Sequence, residues 1–273
     1  MDSVIARLNI GHYRKLLANE LDKEKRRILR RLLADEKLRL AKALRTGGKQ
    51  IEQPIRDFSQ IPIHGCNQQS VKNSILELRR GPVLHGDGNM IFLESDPAKY
   101  IILVVNGVIR TCRHYEDGTR GIAAFYIAGE TFGWNDELLR SLTAEAATNT
   151  MLLYIKRSAL HSLAARDARV ADFVLAATKS ELRRTQEYSL LIGKDAKNRV
   201  AVFLLDLWTR MGKPKQLRLP MSYADAANHL GLTLETFSRT IMILNRAGII
   251  ARLGYRTLAI RNHKSIKIAN NIQ

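Results

Sequence analysis

One stretch constrains this chain more than any other: Ser222-Tyr-Ala-Asp-Ala-Ala-Asn-His-Leu-Gly-Leu-Thr-Leu-Glu-Thr-Phe-Ser-Arg-Thr-Ile-Met-Ile-Leu-Asn-Arg-Ala-Gly248. It reads as helix, tight turn, helix. Ser222 is placed to cap the first helix, and Thr233 to cap the second, because a hydroxyl at the cap satisfies an otherwise orphaned backbone N–H. Gly231 permits the turn between them. Ala226 is small enough for the second helix to cross closely, and Leu230, Leu232, Phe237, Ile241 and Leu244 supply a shared core. Downstream, Ile249-Ile-Ala-Arg-Leu-Gly-Tyr-Arg-Thr-Leu-Ala-Ile260 forms two short β runs about Gly254, the pattern of a hairpin wing.

The second helix opens with Glu235, Ser238 and Arg239 on one surface, since spacings of three and four residues share a helix face. In a helix-turn-helix that end enters the major groove of DNA. There Arg239 can donate two parallel bonds to guanine O6 and N7, Glu235 can accept from a cytosine N4 amine, and Ser238 can meet a thymine or a phosphate. Thr233 and Thr236, at the positive end of the helix dipole, suit backbone phosphates. Arg252 and Arg256 suit phosphate contacts from the wing. The plainer alternative for Glu235 and Arg239 is an ordinary i,i+4 surface ion pair, worth about 0.3–0.5 kcal/mol.

Charge agrees with a polyanionic partner. Lys and Arg total 44 against 26 Asp and Glu, a formal +18 over 273 residues, and such an excess favours nucleic acid or an anionic membrane surface. The N-terminus lacks the apolar core of a signal peptide, and no run reaches the roughly 20 apolar residues that span a bilayer. A cytoplasmic protein with no membrane partner is expected. The two cysteines, Cys66 and Cys112, stand far apart, so no disulfide framework, zinc site or four-cysteine iron–sulfur cluster is expected. Cys112, in an expected strand, reads as a buried and inert thiol, with a redox switch as the alternative. His12, His64, His85, His114, His161, His229 and His263 form no ligand-spaced set, which leaves a haem ligand among them open; His229 is expected to pack near the turn. Paired catalytic carboxylates, a nucleophile elbow and a phosphate-cradling glycine loop are not found, so an enzyme is not expected.

The rest of the chain divides by pattern. Residues 1–60 read as a basic helical extension and linker: leucines near helical spacing run from about Ile10 to Arg45 as one long helix or a helical hairpin, then Gly47 and Gly48 supply the stop. That extension either packs on the body as a solvated basic helix or binds a partner or nucleic acid. Residues 61–165 read as a small β-domain, with β-rich runs from about Val71 to Ile155 that include Tyr100–Val105, Val108–Cys112 and Ile122–Ile127. Asn106-Gly107 and Asp117-Gly118 mark turns, because glycine accepts the positive φ of a tight hairpin. Residues 166–195 read as a long helix in which Leu175, Thr178, Leu182, Thr185, Ser189 and Ile192 lie on one seam at coiled-coil spacing. That seam either packs a dimer partner or covers the β-domain. Residues 196–273 hold the winged module.

This order, an α+β chain with a β-roll, a long connecting helix and a winged helix-turn-helix, resembles the CRP/FNR family from about Val71 onward. Val105-Asn-Gly-Val-Ile-Arg110, Tyr115-Glu-Asp-Gly-Thr-Arg120 and Ala128-Gly-Glu-Thr-Phe-Gly133 look like the turns of that family's cyclic-nucleotide-binding-like β-roll. Asn198-Arg-Val-Ala-Val-Phe-Leu-Leu205 looks like the helix after its dimerisation helix. Glu235-Thr-Phe-Ser-Arg239 is similar to the E-x-x-S-R pattern of the FNR and FixK branch.

The resemblance implies a homodimeric transcription activator of genes for low-oxygen or nitrogen-related metabolism, working with RNA polymerase on double-stranded DNA. Its operator would carry TTGA-type half-sites about one helical turn apart. Arg239 would read the guanine, Glu235 the cytosine across from it and Ser238 a thymine. Gly129, Glu130, Gly133, Trp134, Arg140 and Ser141 would mark a vestigial effector pocket. Cyclic-AMP-binding relatives carry a glutamate where Trp134 stands, and an Arg-Ser pair of which Arg140-Ser141 is the counterpart. Loss of that carboxylate implies a FixK-like regulator without a bound cofactor; the alternative is a CRP-like sensor for a cyclic nucleotide or haem.

Overall fold

The computed structural model describes residues 60–115, 119–134 and 138–262, together with Lys25 and Ala34, which are helical. Apart from those two positions, the expected helix from Ile10 to Arg45, the Asp117-Gly118 turn, His12 and His263 lie outside the described residues. Elements are numbered below among the described residues.

The sequence places β structure from about Val71, but the first element is a helix, α1 (Gln69–Glu77). Val71, Ile75 and Leu76 lie close together on one side of α1 and are buried against the sheet below. That face packs best in helical form, and tertiary burial decides the conformation of so short an apolar cluster.

Eight strands follow: β1 (Arg79–His85), β2 (Met90–Phe92), β3 (Tyr100–Asn106), β4 (Val108–His114), β5 (Arg120–Ile127), β6 (Thr131–Phe132), β7 (Thr143–Ala146) and β8 (Thr150–Lys156). They make two four-stranded antiparallel sheets, ordered β1-β8-β3-β6 and β2-β7-β4-β5. Strand β3 shows why its run is apolar throughout. Ile102 and Val104 face the core between the sheets, with Ile109, Tyr126, Phe132, Ala144, Ala146 and Leu152. Ile101, Leu103 and Val105 face the other way, beneath α1, α2 (Arg157–Ala164) and α3 (Ala168–Ile192). Both faces of the strand are covered, so period-2 alternation of polarity disappears. Each fully buried Leu or Ile contributes about 1.5–3 kcal/mol.

The turn at Asn106-Gly107 is not a hairpin within one sheet. It carries the chain from β3 in the first sheet to β4 in the second. Gly107 sits at φ +86°, and a Cβ there would fall 2.5 Å from the Asn149 carbonyl oxygen, so only glycine fits the corner.

Helix α3 starts at Asp167, whose carboxylate accepts from the Arg169 N–H. It buries Val170, Phe173, Glu181 and Leu191 but leaves Leu175 and Leu182 more than half exposed. Helix α4 (Ala196–Arg210) then enters the winged module, burying Val200, Ala201, Phe203, Leu204 and Leu207. Next come β9 (Leu217–Arg218), α5 (Tyr223–His229), α6 (Leu234–Arg246), β10 (Ile250–Arg252) and β11 (Thr257–Ile260), with a small sheet ordered β10-β11-β9. The β-roll, α3 and this module belong to one compact unit, Ile55–Gln273. The outer face of the second sheet, through Val108, Cys112, Ile122, Phe125 and Ile127, shares one apolar cluster with the core of the winged module.

Candidate nucleic-acid interface

Helices α5 and α6 meet about Gly231, at φ +62°. Ser222 Oγ accepts from the Asp225 N–H at 3.0 Å and Thr233 Oγ1 from the Thr236 N–H at 3.1 Å, so both caps stand where the sequence places them. Ala226, Leu230, Phe237, Ile241 and Leu244 are buried beneath, and Leu232 packs at their edge. With one face of α6 so anchored, the other is left to solvent.

That outer face carries Glu235, Ser238 and Arg239. Arg239 Nη2 donates to Glu235 Oε1 at 2.9 Å, with the two side chains 61% and 83% exposed. The simple i,i+4 pair therefore exists in the unbound chain. Side chains this exposed keep their freedom to re-aim at base edges, and the pair itself is cheap to open. Ser238 lies beside them, partly buried. The Thr233 hydroxyl donates to Thr236 Oγ1 at 2.9 Å, so the two threonines sit together at the positive end of α6. In the wing, Arg252 is exposed and reaches the Gly254 carbonyl at 3.4 Å. The Arg256 side chain has no hydrogen-bond or ion-pair partner among the described residues, and with Arg218 it lines an open cleft of about 710 Å³ between the winged module and the turns of the β-roll.

Sequence reasoning missed what holds the reading head in place. The first helix of the motif is docked to the second sheet by charge. Asp225 on α5 accepts from Arg110 at 3.0 Å and from Arg120 at 2.7 Å, and both arginines also reach Glu145 Oε2, at 2.9 and 3.1 Å. Asn228 accepts from the Ile122 N–H and donates to the Arg120 carbonyl. His229 bonds the Ile122 carbonyl through Nδ1 at 3.1 Å and packs among Phe125, Tyr188 and Phe203. Burial pulls the His229 pKa down to about 4, so the ring is neutral at neutral pH and Nδ1 is the donor. Partners more than a hundred residues apart leave no local signal.

The positions matched to an effector pocket are turned to other work. Glu130 is buried and accepts from the Ile127 N–H, from Arg210 at 2.8 and 2.7 Å and from Arg184 at 3.3 Å. Burial alone would raise its pKa, yet Arg210 first and then Arg184 hold the carboxyl below its usual range. Arg140 is buried over the Phe92 ring, 4.2 Å from its centroid, and donates to the Tyr100 and Gly133 carbonyls. Trp134 Nε1 donates to Thr131 Oγ1 and its ring packs edge-on against Phe173 of α3. Gly129 and Gly133 both hold positive φ; a Cβ on Gly129 would strike His64, and one on Gly133 would strike Arg140. Ser141 is exposed, and its carbonyl accepts from Arg113.

On α3, Leu175, Thr178, Leu182, Thr185 and Ser189 all face solvent. The hydroxyls of Thr178 and Thr185 bond carbonyls one turn back, which removes unmet donors from the seam. Ile192 leaves that seam: it is half-buried and borders the turn at Gly231. Cys112 is fully buried, as its place in a strand predicts, and burial with the nearby Glu145 charge pushes its thiol up to about 12, which keeps it protonated in the free chain.

Comparison with known proteins agrees with this architecture. Residues 85–167 match the model of the cyclic nucleotide-binding domain and residues 198–267 that of the Crp-like helix-turn-helix domain. The chain is 36% identical to the nitrogen fixation regulation protein FixK of Azorhizobium caulinodans over 192 residues, 68% of this chain and 77% of that protein. It is 34% identical to FixK of Rhizobium meliloti over 181 residues, 66% and 82% of the two chains. Among solved structures, FixK2 from Bradyrhizobium japonicum superposes with a TM-score of 0.65 at 36% identity, covering 69% of this chain and 96% of that one. The chain belongs to the CRP/FNR family of DNA-binding transcription regulators, and its relatives are regulators rather than enzymes.

Proposed function

We propose that this regulator binds a palindromic TTGA-type operator as a homodimer in the cytoplasm and, with RNA polymerase, activates genes of low-oxygen or nitrogen-related metabolism. The observation that carries this reading is the Glu235–Ser238–Arg239 face of α6, presented to solvent on a helix whose other face is locked in a core. Arg239 reads the guanine, Glu235 accepts from the cytosine across from it and Ser238 meets a thymine. Thr233, Thr236, Arg252 and Arg256 take phosphates, which fix register without reading sequence. The exposed Leu175 and Leu182 of α3 supply the seam between two copies, holding the recognition helices one helical turn apart. Among the described residues no helix is long and apolar enough to cross a membrane.

The effector-pocket positions do not fit a cyclic nucleotide. Trp134 offers no carboxylate to a ribose hydroxyl, Arg140 is committed to backbone carbonyls, and its guanidinium fills the space above Gly133. This supports operator binding without a bound cofactor. The test is a titration of ligand-free protein against a duplex with TTGA and TCAA half-sites one turn apart, and against a scrambled duplex, at physiological salt. A specificity ratio of about a thousandfold or more is expected. Equal, steeply salt-dependent binding to both would refute the reading, because only phosphate charge would then be acting.

A further inference from the structure

Among the described residues, a cluster of potential metal-ligating side chains lies outside the DNA-facing surface. Cys112 and His114 lie two residues apart on β4, so their side chains leave the same face of the strand. Glu145 comes from the adjacent strand β7. The ligating atoms of all three lie within 4.8 Å of one another, and His114 Nε2 is 3.5 Å from Glu145 Oε1. The sequence reading, which expects no zinc site, could not see this set, because the carboxylate arrives from another strand.

We propose that Cys112, His114 and Glu145 form a binding site for a thiophilic divalent cation of the zinc class. The donor set is the sulfur, nitrogen and oxygen mixture such ions take, and three protein ligands leave a fourth position for water. Zinc bonds of about 2.0–2.3 Å put tetrahedral ligand atoms roughly 3.3–3.8 Å apart, so the His114–Glu145 pair already fits and the cluster as a whole must close by up to about 1 Å. The half-exposed His114 side chain can supply that movement by rotation about its χ angles. On binding, the S–H bond of Cys112 breaks, a sulfur–metal bond forms and the proton leaves to water.

Two features make the pocket tolerant of a cation. Arg110 and Arg120 are already balanced by two carboxylates, Glu145 and Asp225, and Arg113 faces Glu94 at 3.7 Å, so no unmatched guanidinium points at the ion. The arginines occupy Glu145 Oε2, which leaves Oε1 toward His114 and orients the carboxylate as outer-shell partners of metal ligands do. The inference goes beyond the DNA-binding reading and does not depend on it.

The test is a cobalt(II) titration of the full chain, followed by absorbance. One cobalt per chain is expected, with a near-ultraviolet thiolate-to-cobalt charge-transfer band that stoichiometric zinc erases. Cys112→Ser should abolish the band and Cys66→Ser, at the only other cysteine, should leave it. His114→Ala, at a half-exposed position, should keep the melting temperature and weaken cobalt binding by roughly tenfold or more. No band at stoichiometric cobalt, a band that survives Cys112→Ser or vanishes with Cys66→Ser, or undiminished binding by His114→Ala would each overturn the proposal.

Discussion

Replacing Arg239 by alanine separates base reading from charge attraction. In the unbound chain Arg239 is exposed and its side chain bonds Glu235, so truncation leaves no cavity and no buried orphan. The melting temperature should stay within a degree or two. On the operator, a bidentate contact to guanine contributes about 1–3 kcal/mol of discrimination. Opening the exposed Glu235 pair first costs about 0.3–0.5 kcal/mol. The net is about 0.5–2.7 kcal/mol per half-site, and two half-sites make about 1–5 kcal/mol, or between roughly fivefold and several thousandfold in affinity. Fluorescence anisotropy should be measured for wild type and variant on the operator and on a duplex whose guanine–cytosine pair is replaced in both half-sites. Wild type should lose affinity on the altered duplex, and Arg239→Ala should lose clearly less, the remainder being the Glu235 contact to the cytosine of that pair. An equal loss for the variant on operator and random DNA would show that Arg239 acts only as a positive charge, and the base-reading assignment would fall.

Three further outcomes follow from the same geometry. Leu182→Glu places a carboxylate in the middle of the exposed seam of α3, so sedimentation should show monomer and operator affinity should fall at least tenfold; a variant that stays dimeric would remove the seam from the interface. Glu130→Ala strands the guanidiniums of Arg210 and Arg184, and breaking a buried pair costs about 3–5 kcal/mol. For a unit of this size that is a fall in melting temperature of roughly 6–20 °C, and a fall under about 3 °C in a thermal scan would contradict it. Because the Glu130 carboxyl is held below its ordinary 4.5, its contribution is complete above that pH and is lost as pH drops through the folded value. His229 acts in a higher window: its folded pKa of about 4 lies below the ordinary 6.5, so stability is complete above 6.5 and declines as pH falls toward 4. Denaturant titrations of His229→Phe should show a flatter pH profile across that window, and an unchanged slope would mean the ring is not what titrates.

What could be read in the sequence was local. Ser222, Gly231 and Thr233 announce the helix-turn-helix because caps and tight turns depend on one residue and its near neighbours. Strands β3, β4 and β5 show as β-branched runs for the same reason. Helix α1 was misread because Val71, Ile75 and Leu76 are too few to declare a period; their conformation is decided by the sheet they cover. Asn106-Gly107 shows as a turn, but whether it closes a hairpin or carries the chain between sheets depends on where β8 pairs. Glu130 and Arg140 could be placed by resemblance, yet not their partners. Arg210 lies eighty residues from Glu130, and nothing near either residue announces the other.

The contacts missed in this way set what the β-roll can do to the reading head. Asp225, Asn228 and His229 all sit on α5, and each is held by β4 or β5 of the second sheet. Helix α6 packs on both α5 and α4 in their shared core, so its orientation follows the two helices that the β-roll holds. Arg210, at the end of α4, and Arg184, on α3, grip the same buried Glu130, so the long helix and the winged module share one anchor. A disturbance of Glu145 would act on Arg110 and Arg120 and hence on Asp225, whereas a disturbance of Glu130 would act on α3 and α4 together. The second route acts directly on the helix that carries the exposed leucine seam, whereas the first reaches it through the contact of Tyr188 with His229. A signal that moves two recognition helices relative to one another should therefore travel through Glu130, and one that loosens a single head should travel through Glu145.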